Sequence, residues 1–314
     1  MLEFEKPIFE LQSKIKELET FGSDKNIMLD PEIKKLQQKL EKMKEEIYQH
    51  LTPWQRVQIA RHPDRPYALD YIRMMMDDFV EIHGDRMFAD DLALIGGMAR
   101  LDGIKVAALG HQKGRDNKEN VRRNFGCAHP EGYRKAMRIM EMAEKFRLPV
   151  VVLIDAPGAY PGIGAEERVQ AQAIASNLKD MALLRTPIIA TIIGEGGSGG
   201  ALALAVANRV LVLEYGTYSV ISPEGCASIL WKDGTKADLA ASRLKMTAPD
   251  LLHLRVVDGV VDEPPGGAHQ DHDLAAKLVS AALEQTLREL LGMTPDELAD
   301  HRYKRFRTLG AFIA

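Results

Sequence analysis

The chain has 314 residues, of which 46% are hydrophobic and 27% are charged, and its formal net charge is −4. These values are typical of a globular protein with one large domain or two smaller ones. They give no basis for nucleic-acid binding, and because no run of 18 apolar residues occurs, no membrane-spanning segment is expected. Two cysteines cannot form a four-thiolate zinc site alone, and no signal peptide is recognisable. We therefore expect a cytoplasmic protein without a metal of its own.

The N-terminal part of the chain predicts two helices separated by a polar break, Gly22 to Asp30. The short a/d pattern favours a helical hairpin, packed on its own domain or on a partner, over a long coiled coil. We expect residues 1–90 to form an N-terminal helical assembly region and residues 91–314 to form the main domain. The apolar positions of the two helices are Ile8, Leu11, Ile15 and Leu18, and Ile33, Leu36, Leu40, Met43 and Ile47.

The next segment predicts a helix and then a β-hairpin. The helix is expected from Ala68 to Ile82. Two apolar segments, Ile95–Leu101 and Ile104–Leu109, flank Asp102-Gly103. An Asp-Gly pair between apolar runs is a strong hairpin signal. A further helix is expected from Pro130 to Phe146.

The central part of the chain alternates strands with helices. Continuous apolar runs predict strands at Val150–Ile154, Ile188–Ile193 and Val210–Leu213, and a helix, Glu166–Leu184, follows the first strand. Strands without polar alternation are typical of a sheet that is covered on both faces. The sequence therefore predicts an α/β fold class. Two more helices are expected near Ala237–Lys245 and Asp273–Leu291.

Two loops that follow these strands have an unusual composition. The first, Asp155-Ala-Pro-Gly-Ala-Tyr-Pro-Gly162, contains two Pro-Gly pairs, which make a rigid loop with exposed backbone. The second, Gly194-Glu-Gly-Gly-Ser-Gly-Gly-Ala201, lies between a strand and a short apolar helix. Glycine lets a ligand approach the backbone, and the first turn of a helix has unpaired N–H groups that favour negative charge. We expect the second loop to hold an anion, or a developing oxyanion, on main-chain amides.

The second loop allows three interpretations. Gly194, Gly196 and Gly199 fit the G-x-G-x-x-G pattern of a dinucleotide site, with Glu214 as the ribose ligand. The apolar helix that follows is, however, too short to cross a sheet, as the helix of a dinucleotide-binding fold does.

The same loop also satisfies G-x-S-x-G, the pattern of a serine hydrolase, with Ser198 as the nucleophile. The acid would then be Asp258 or Asp262, and the base would be His269. The segment before His269 is rich in proline and glycine and gives no sign of a regular element that would position a catalytic base.

The third interpretation is an oxyanion hole without a nucleophile. The amides of Gly199 and Gly200 would stabilise negative charge on a carbonyl oxygen, and the 155–162 loop would supply donors from the other side. This interpretation uses both unusual loops, whereas the other two leave the first loop unexplained. It is the one that the residues favour.

Joined at these spacings, the motifs resemble the α-subunit family of bacterial and plastid acetyl-CoA carboxylase carboxyltransferases, and the resemblance covers nearly the whole chain. Two small departures are Ala156, where threonine is common, and Pro265, where leucine is common. Besides the two loops, the matching segments are Arg61-His-Pro-x-Arg-Pro-Tyr67, Gly110-His-Gln-Lys-Gly-Arg115, Pro130-Glu-Gly-Tyr-Arg-Lys135, Ser219-Val-Ile-Ser-Pro-Glu-Gly-Cys-Ala227 and Gly266-Gly-Ala-His269.

The resemblance implies a crotonase-like fold of repeated ββα units. It implies transfer of a carboxyl group from carboxybiotin, carried on a biotin carboxyl carrier protein, to acetyl-CoA, which gives malonyl-CoA for fatty acid synthesis. It also implies two further partners, biotin carboxylase and a zinc-ribbon β subunit that mainly holds the CoA thioester. The active site would lie between the α and β chains, with the α chain facing carboxybiotin and carrying no metal.

The resemblance also implies roles for particular residues. Gly199 and Gly200 would form the oxyanion hole on the α side, with Gly158 and Ala159 in the loop opposite. Because deprotonated biotin nitrogen can remove the methyl proton of acetyl-CoA, the protein would only need to position groups and stabilise charge. The expected substrate-binding residues are Gly196, Gly197, Tyr160, Tyr218, Lys113 and Arg115.

Other polar features have a plain structural interpretation beside a functional one. The basic run His111 to Arg123 would bind CoA phosphates or the carrier protein, but exposure to solvent on a loop and helix surface explains most of its charges. His269 and His272, with two neighbouring aspartates, resemble a metal cluster, although a polar loop is the favoured interpretation. Cys226 is expected to be a buried structural thiol rather than an activated one.

Overall fold

The computed structural model describes residues 2–25 and 30–310. A helical hairpin forms the N-terminal part: α1 (Lys6–Lys25) and α2 (Asp30–Gln49) pack along the predicted apolar seam. Helix α1 continues past Gly22 to Lys25, so the helix does not end at Gly22 as predicted. Residues 26–29 of the predicted break lie outside the described residues. The buried centre of the seam is formed by Ile8, Ile15 and Leu40.

The segment after the hairpin differs from the prediction. Helix α3 (Pro53–Ala60) is followed by α4 (Ala68–Met75), which ends well before Ile82. The next residues form an edge strand, β1 (Asp77–Glu81), because backbone pairing with the hairpin strand beside it outweighs the local helical pattern. Residues 68–81 thus pack into the main sheet, although the sequence assigned them to the N-terminal region. The two-part division at residue 90 stays a prediction.

A single sheet of eight strands forms the centre of the described structure. The predicted hairpin is confirmed as β2 and β3, and the turn residues Asp102 and Gly103 have φ of 47° and 75°, as a tight hairpin turn requires. From β3 onward the strands pair in parallel. The strands after β1 are β2 (Leu94–Leu101), β3 (Ile104–His111), β4 (Val150–Ala156), β5 (Ile188–Gly197), β6 (Arg209–Leu213), β7 (Thr217–Ser219) and β8 (Gly259–Val261).

The strand order is β1-β2-β3-β4-β5-β6-β8, with β7 beside the end of β5. The first half of β5 pairs with β6, and its last residues, Glu195 to Gly197, pair with β7. Strand β5 is therefore longer than predicted, since the first glycines of the second loop continue the strand. This extension carries the rest of the glycine loop to the carboxyl edge of the sheet.

Helices cover both faces of the sheet, as the uniform apolar strands predicted. Along β4, Val150 and Val152 contribute to one core, and Val151 and Leu153 contribute to the other. Helices α6 (Pro130–Lys145) and α8 (Gln170–Leu183) also pack into the first core. Helices α4 and α13 (His272–Leu291) pack into the second. The remaining helices are α5 (Asn117–Arg122), α7 (Ile163–Glu167), α9 (Ser198–Leu202), α10 (Pro223–Trp231), α11 (Ala237–Leu244), α12 (Ala248–His253) and α14 (Pro295–Arg307).

Two further differences from the predicted elements concern helices. The helix expected from Glu166 to Leu184 is divided into α7 and α8, and Val169 at the division has φ of 61°. Helix α14 was not predicted, because its exposed face is strongly charged and its apolar residues are few. In the part of the chain that the structure describes, no helix has both the length and the apolar character needed to cross a bilayer.

Candidate active site

The two unusual loops begin side by side at the carboxyl edge of the sheet. Strands β4 and β5 are parallel neighbours, and the last paired residues are Ala156 and Gly196. The first loop leaves β4 directly after Ala156, and the second continues from β5 into α9. The sheet therefore brings together the two segments that the oxyanion-hole interpretation requires.

The two loops touch through their backbones at two glycines. A Cβ on Gly197 would lie 2.0 Å from the carbonyl oxygen of Pro157, and a Cβ on Gly200 would lie 2.5 Å from the carbonyl carbon of Gly158. Both distances are shorter than any side-chain atom tolerates, so any larger residue would force the loops apart. Gly197 and Gly200 thus allow the close packing of the loops.

Two further glycines of these loops, Gly158 and Gly199, face open space. No atom lies within 4 Å of a Cβ built on Gly158, and only Ile174, at 3.7 Å or more, approaches a Cβ built on Gly199. Gly199 and Gly200 lie in the first turn of α9, where backbone N–H groups have no partner within the helix. Since α9 has only five residues, its macrodipole is small, and any stabilisation of an anion comes from the individual amides.

The first loop carries a sulfur atom beside its amide. The Gly158 N–H donates a hydrogen bond to the Cys127 thiol. A role for Gly158 as an oxyanion donor would require this weak bond to open. Burial raises the pKa of the Cys127 thiol above its ordinary value, with Lys113 acting weakly in the opposite direction, so the sulfur remains protonated at neutral pH.

A mainly apolar cavity of about 400 Å³ opens beside Gly199. Its wall includes Tyr218, whose pKa burial raises to about 12, so the phenol is neutral at physiological pH. Two cations, Lys245 and Arg305, also border the cavity. The remaining lining residues are Ser198, Leu202, Ala205, Val210, Ser219, Val220, Leu244, Leu251, Leu254, Val256, Phe306 and Leu309.

The two tyrosines predicted as substrate contacts lie in different places. Tyr218 faces the cavity and contacts the backbone of Gly196, where a Cβ would lie 2.8 Å from the tyrosine ring. Tyr160 instead lies against His129, with ring centroids 4.1 Å apart, and its N–H donates to the Ala128 carbonyl. Tyr160 therefore anchors the first loop to the segment before α6.

A network of charged residues contacts the glycine loop through Glu195. Lys113 Nζ is 2.6 Å from Asp155 Oδ1 and 3.5 Å from Glu195 Oε2. Arg61 contacts the other oxygen of Glu195 at 2.6 Å and reaches Glu224 at 2.5 Å. We call these five residues the loop-locking network. Lys113 alone among them was predicted as a site residue. The signal for the others was a charged residue, Glu195, near the end of a buried strand.

Arg115, the second basic residue predicted to bind substrate, has partners within the chain. Its guanidinium lies 4.0 Å from the centre of the Tyr67 ring, donates to the carbonyls of Pro63 and Arg65, and pairs with Asp70. These contacts give Arg115 a role in holding the 63–70 segment. The predicted contacts of Lys113 and Arg115 with CoA or the carrier protein stay predictions.

The predicted histidine and aspartate cluster is not brought together as the sequence pattern suggested. His272 bonds to the Asp64 carbonyl, and Asp271 caps helix α13. In the described residues, His269 instead forms a group of potential metal ligands with Glu5 and His62.

The geometry of that group suits a structural contact better than a metal site. The imidazoles of His62 and His269 are stacked, with centroids 4.0 Å apart and planes 20° apart. A metal ion binds in the plane of an imidazole at about 2.0–2.1 Å, so two stacked rings cannot both direct a lone pair at one ion. Glu5 is bonded to Tyr48 Oη at 2.8 Å, and the group joins the N-terminal segment to the loop before α13.

The hydrolase and dinucleotide interpretations lose their remaining support in the structure. Ser198 is exposed at the cavity, but His269 lies against His62 and Glu5, and no histidine or aspartate is among the described residues that line the cavity. The Glu214 carboxylate accepts from the Glu263 N–H at 3.4 Å, within the chain. Cys226 is a buried thiol, as predicted.

Comparison with known proteins decides the family. The sequence pattern of a protein family described as acetyl co-enzyme A carboxylase carboxyltransferase-like matches residues 1–310. The chain belongs to this family. It is 59% identical to the acetyl-coenzyme A carboxylase carboxyl transferase subunit alpha of Geobacter metallireducens over 99% of this chain and 98% of that relative. It is 56% identical to the same subunit of Thermus thermophilus, again over 99% and 98% of the two chains. The predicted family is confirmed, and the chain is a carboxyltransferase subunit of the alpha type.

Solved structures confirm the fold class. A Pseudomonas malonate decarboxylase hetero-tetramer in complex with coenzyme A superimposes with a TM-score of 0.61 and 18% identity, over 77% of this chain and 95% of that chain. Transcarboxylase 12S superimposes with a TM-score of 0.59 and 19% identity, over 73% of this chain and 42% of that chain. At these identities the likeness shows the fold alone, which is the α/β, crotonase-like fold predicted from the sequence.

Proposed function

We propose that this chain transfers a carboxyl group from carboxybiotin to acetyl-CoA, forming malonyl-CoA, as the α half of a carboxyltransferase. The observation that carries the proposal is the contact between the two loops, which packs Gly200 against Gly158 next to Gly199, a residue that lines the apolar cavity. The names of the relatives, which are α subunits of acetyl-coenzyme A carboxylase carboxyl transferase, support the same reaction.

The chemistry required of this chain is the stabilisation of negative charge. In this proposal the Gly199 and Gly200 amides donate to an oxygen on which charge develops. Gly158 and Ala159 form the loop opposite, where their backbone atoms lie 2.5 to 2.8 Å from a Cβ built on Gly200. Backbone donors are fixed before the reaction begins, and one such donor lowers a barrier by about 2.7–4 kcal/mol. The apolar wall formed by residues such as Leu202 and Val256 excludes water and strengthens these bonds.

The cavity also fits a biotin group. Its volume of about 400 Å³ and its apolar wall suit a ring system with few charges, and Tyr218 supplies a neutral hydroxyl group at the wall. Carboxybiotin, when bound, supplies an activated carboxyl group. In this proposal Gly196 and Gly197 position the ligand only through the backbone shape of the second loop.

We propose partners that complete the site. A β subunit with a zinc ribbon would hold the CoA thioester, the biotin carboxyl carrier protein would deliver carboxybiotin, and biotin carboxylase would load that carrier. The exposed apolar residues at the mouth of the cavity, including Val220 and Leu254, are suited to being covered by such a partner. We further propose that the complex acts in the cytoplasm in the first committed step of fatty acid synthesis.

Reconstitution tests the proposed function. The chain is mixed with a β subunit and a carboxybiotin donor, and malonyl-CoA formation from acetyl-CoA is measured, with each protein alone as the control. We expect activity from the mixture and nearly none from this chain alone. Esterase activity of the isolated chain that disappears in Ser198→Ala, with no malonyl-CoA from the mixture, would favour the hydrolase interpretation instead.

A further inference from the structure

We infer that Arg61 and Lys113 are positioning residues, which hold the two loops of the active site in register through the loop-locking network. This inference rests on the proposed function, because it assigns the two cations a task in carboxyl transfer. Neither residue needs to touch the substrates for this task.

Lys113 connects the ends of the two strands that carry the loops. Its ammonium contacts Asp155, the residue before Ala156 on β4, and Glu195 on β5. The Glu195 N–H also donates to Asp155 Oδ1 at 3.0 Å, the same oxygen that Lys113 contacts. A slip of either strand end relative to the other would therefore break three interactions at once.

Arg61 extends this connection to the wall of the cavity. It lies directly after α3, and its guanidinium joins Glu195 in the glycine loop to Glu224 in the first turn of α10. The segment before α10 includes Ser219 and Val220, which line the cavity. The two salt bridges of Arg61 therefore fix the glycine loop relative to the cavity wall as well as to its own strand.

The centre of the network is poorly solvated, whereas Glu224 at its outer end has a side chain that is 42% exposed. The side chains of Lys113 and Glu195 are each 14% exposed, and that of Asp155 is 4% exposed. Burial would raise the pKa of Glu195, but Lys113 and Arg61 outweigh it and keep the pKa below its ordinary value. In the same way Asp155 and Glu195 outweigh burial and keep the pKa of Lys113 raised. Glu195 and Lys113 are therefore both charged at neutral pH, and loss of either removes a charge that its buried partners contact.

Loss of positioning has a recognisable kinetic result. A displacement of reacting groups by about 1 Å costs on the order of 100-fold in rate, even when it originates away from the chemistry. Loss of an interaction that acts only in the transition state lowers kcat and leaves KM nearly unchanged, whereas loss of a substrate contact that is equally strong in the ground state raises KM. The two kinds of role are therefore separable by kinetics.

The experiment uses the complex reconstituted with the β subunit. For Arg61→Gln we expect kcat to fall by about 10- to 100-fold, with KM for acetyl-CoA within about threefold of wild type. Arg61→Lys, which keeps the charge but cannot bridge two carboxylates with a planar fork, should recover part of the loss. Arg56→Gln is the matched control, since Arg56 lies on α3, shortly before Arg61, but contacts the Glu214 carbonyl and Tyr215 instead.

A double variant tests whether the network acts as one unit. If it does, Arg61→Gln and Glu195→Gln together should lower kcat no further than Arg61→Gln does alone. Should Arg61→Gln not fold, Glu195→Gln carries the test, because it leaves the Lys113–Asp155 and Arg61–Glu224 pairs intact and should still lower kcat by at least about threefold. The inference is overturned by a kcat within twofold of wild type in the folded variants, or by a raised KM at unchanged kcat. If wild type itself makes no malonyl-CoA, the proposed function fails and the positioning role fails with it.

Discussion

Gly200 lies against Gly158 so closely that a Cβ at position 200 would stand 2.5 Å from the Gly158 carbonyl carbon. These residues belong to different loops, and each loop follows its own parallel strand. Their contact joins the two loops through their backbones, next to Gly199, which lines the cavity. The catalytic proposal depends on this contact, because amides on one loop alone would face the ligand from only one side.

The buried ion pair between Arg65 and Glu263 should be essential for stability. Their side chains are only 2% and 1% exposed, and Arg65 also donates to the Ile193 carbonyl within β5. Replacing Arg65 by Met leaves a buried carboxylate without its partner, so we expect a loss of about 3–5 kcal/mol in the free energy of unfolding. Chemical denaturation followed by circular dichroism measures it.

An exposed pair provides the control for this prediction. Arg288 and Asp102 are 3.5 Å apart, with 71% and 55% of their side chains exposed. Arg288→Gln should change the free energy of unfolding by less than about 1 kcal/mol. Equal losses in the two variants would show that burial does not determine the importance of these pairs.

Acid should weaken the contact between the N-terminal segment and the main domain. Burial, helped by the nearby His269, lowers the pKa of His62 to about 4 in the folded chain. An unfolded chain has a histidine pKa of about 6.5, so unfolding takes up a proton between these values and stability falls as the pH falls through this window. The loss attributable to His62 is on the order of 3 kcal/mol.

The melting temperature as a function of pH tests this prediction. His111 is also buried, and its pKa is lowered to about 3, so wild type loses stability through both histidines. The variant His62→Gln should keep the contribution of His111 and lose that of His62, and its melting temperature should fall less steeply between pH 6.5 and 4. Identical slopes for the variant and wild type would contradict the assignment.

Both cysteines should react slowly with thiol reagents. The thiolate is the reactive form, and burial raises the pKa of Cys127, while Cys226 is only 9% exposed. We expect iodoacetamide at neutral pH to label neither residue of the folded chain appreciably, and both after denaturation, as measured by mass spectrometry. Labelling of Cys127 at the rate of free glutathione would be inconsistent with this environment.

Ser198 should not be required for carboxyl transfer. It has a φ of 50° and lies at the cavity, yet its only proposed base, His269, is stacked on His62. Ser198→Ala should therefore keep most of the malonyl-CoA activity of the reconstituted complex, since the backbone amides remain in place. A loss comparable to removal of a nucleophile would restore the hydrolase interpretation.

Much of the fold was predictable because its signals are local. The hairpin at Asp102-Gly103 and the apolar strands β4 and β5 follow from turn chemistry and continuous burial, which neighbouring residues determine. Strand β1 was predicted as a helix, because only pairing with β2 makes it a strand. The ends of elements such as β5 also depend on partners that are distant in the chain.

The two loops of the candidate site were predictable from the sequence, but the salt bridges that hold them were not. The glycine loop and the 155–162 loop have compositions that mark exposed backbone. The salt bridges of Arg61 and Lys113 join residues 42 to 163 positions apart, and no local pattern indicates which charges will meet. For that reason the contacts of Lys113 with Asp155 and Glu195 could not be predicted, and its contact with a ligand stays a prediction.

The most direct test of the central claim compares two glycine-to-alanine variants in the reconstituted complex. Gly200→Ala inserts a methyl group between the two loops, whereas Gly292→Ala adds the same group where the nearest atom is 3.9 Å away. If the joined loops form the oxyanion hole, Gly200→Ala should lower the rate of malonyl-CoA formation by about 100- to 1,000-fold, the loss expected from one misplaced donor, while Gly292→Ala retains the wild-type rate. Wild-type rates for a folded Gly200→Ala complex would contradict the account.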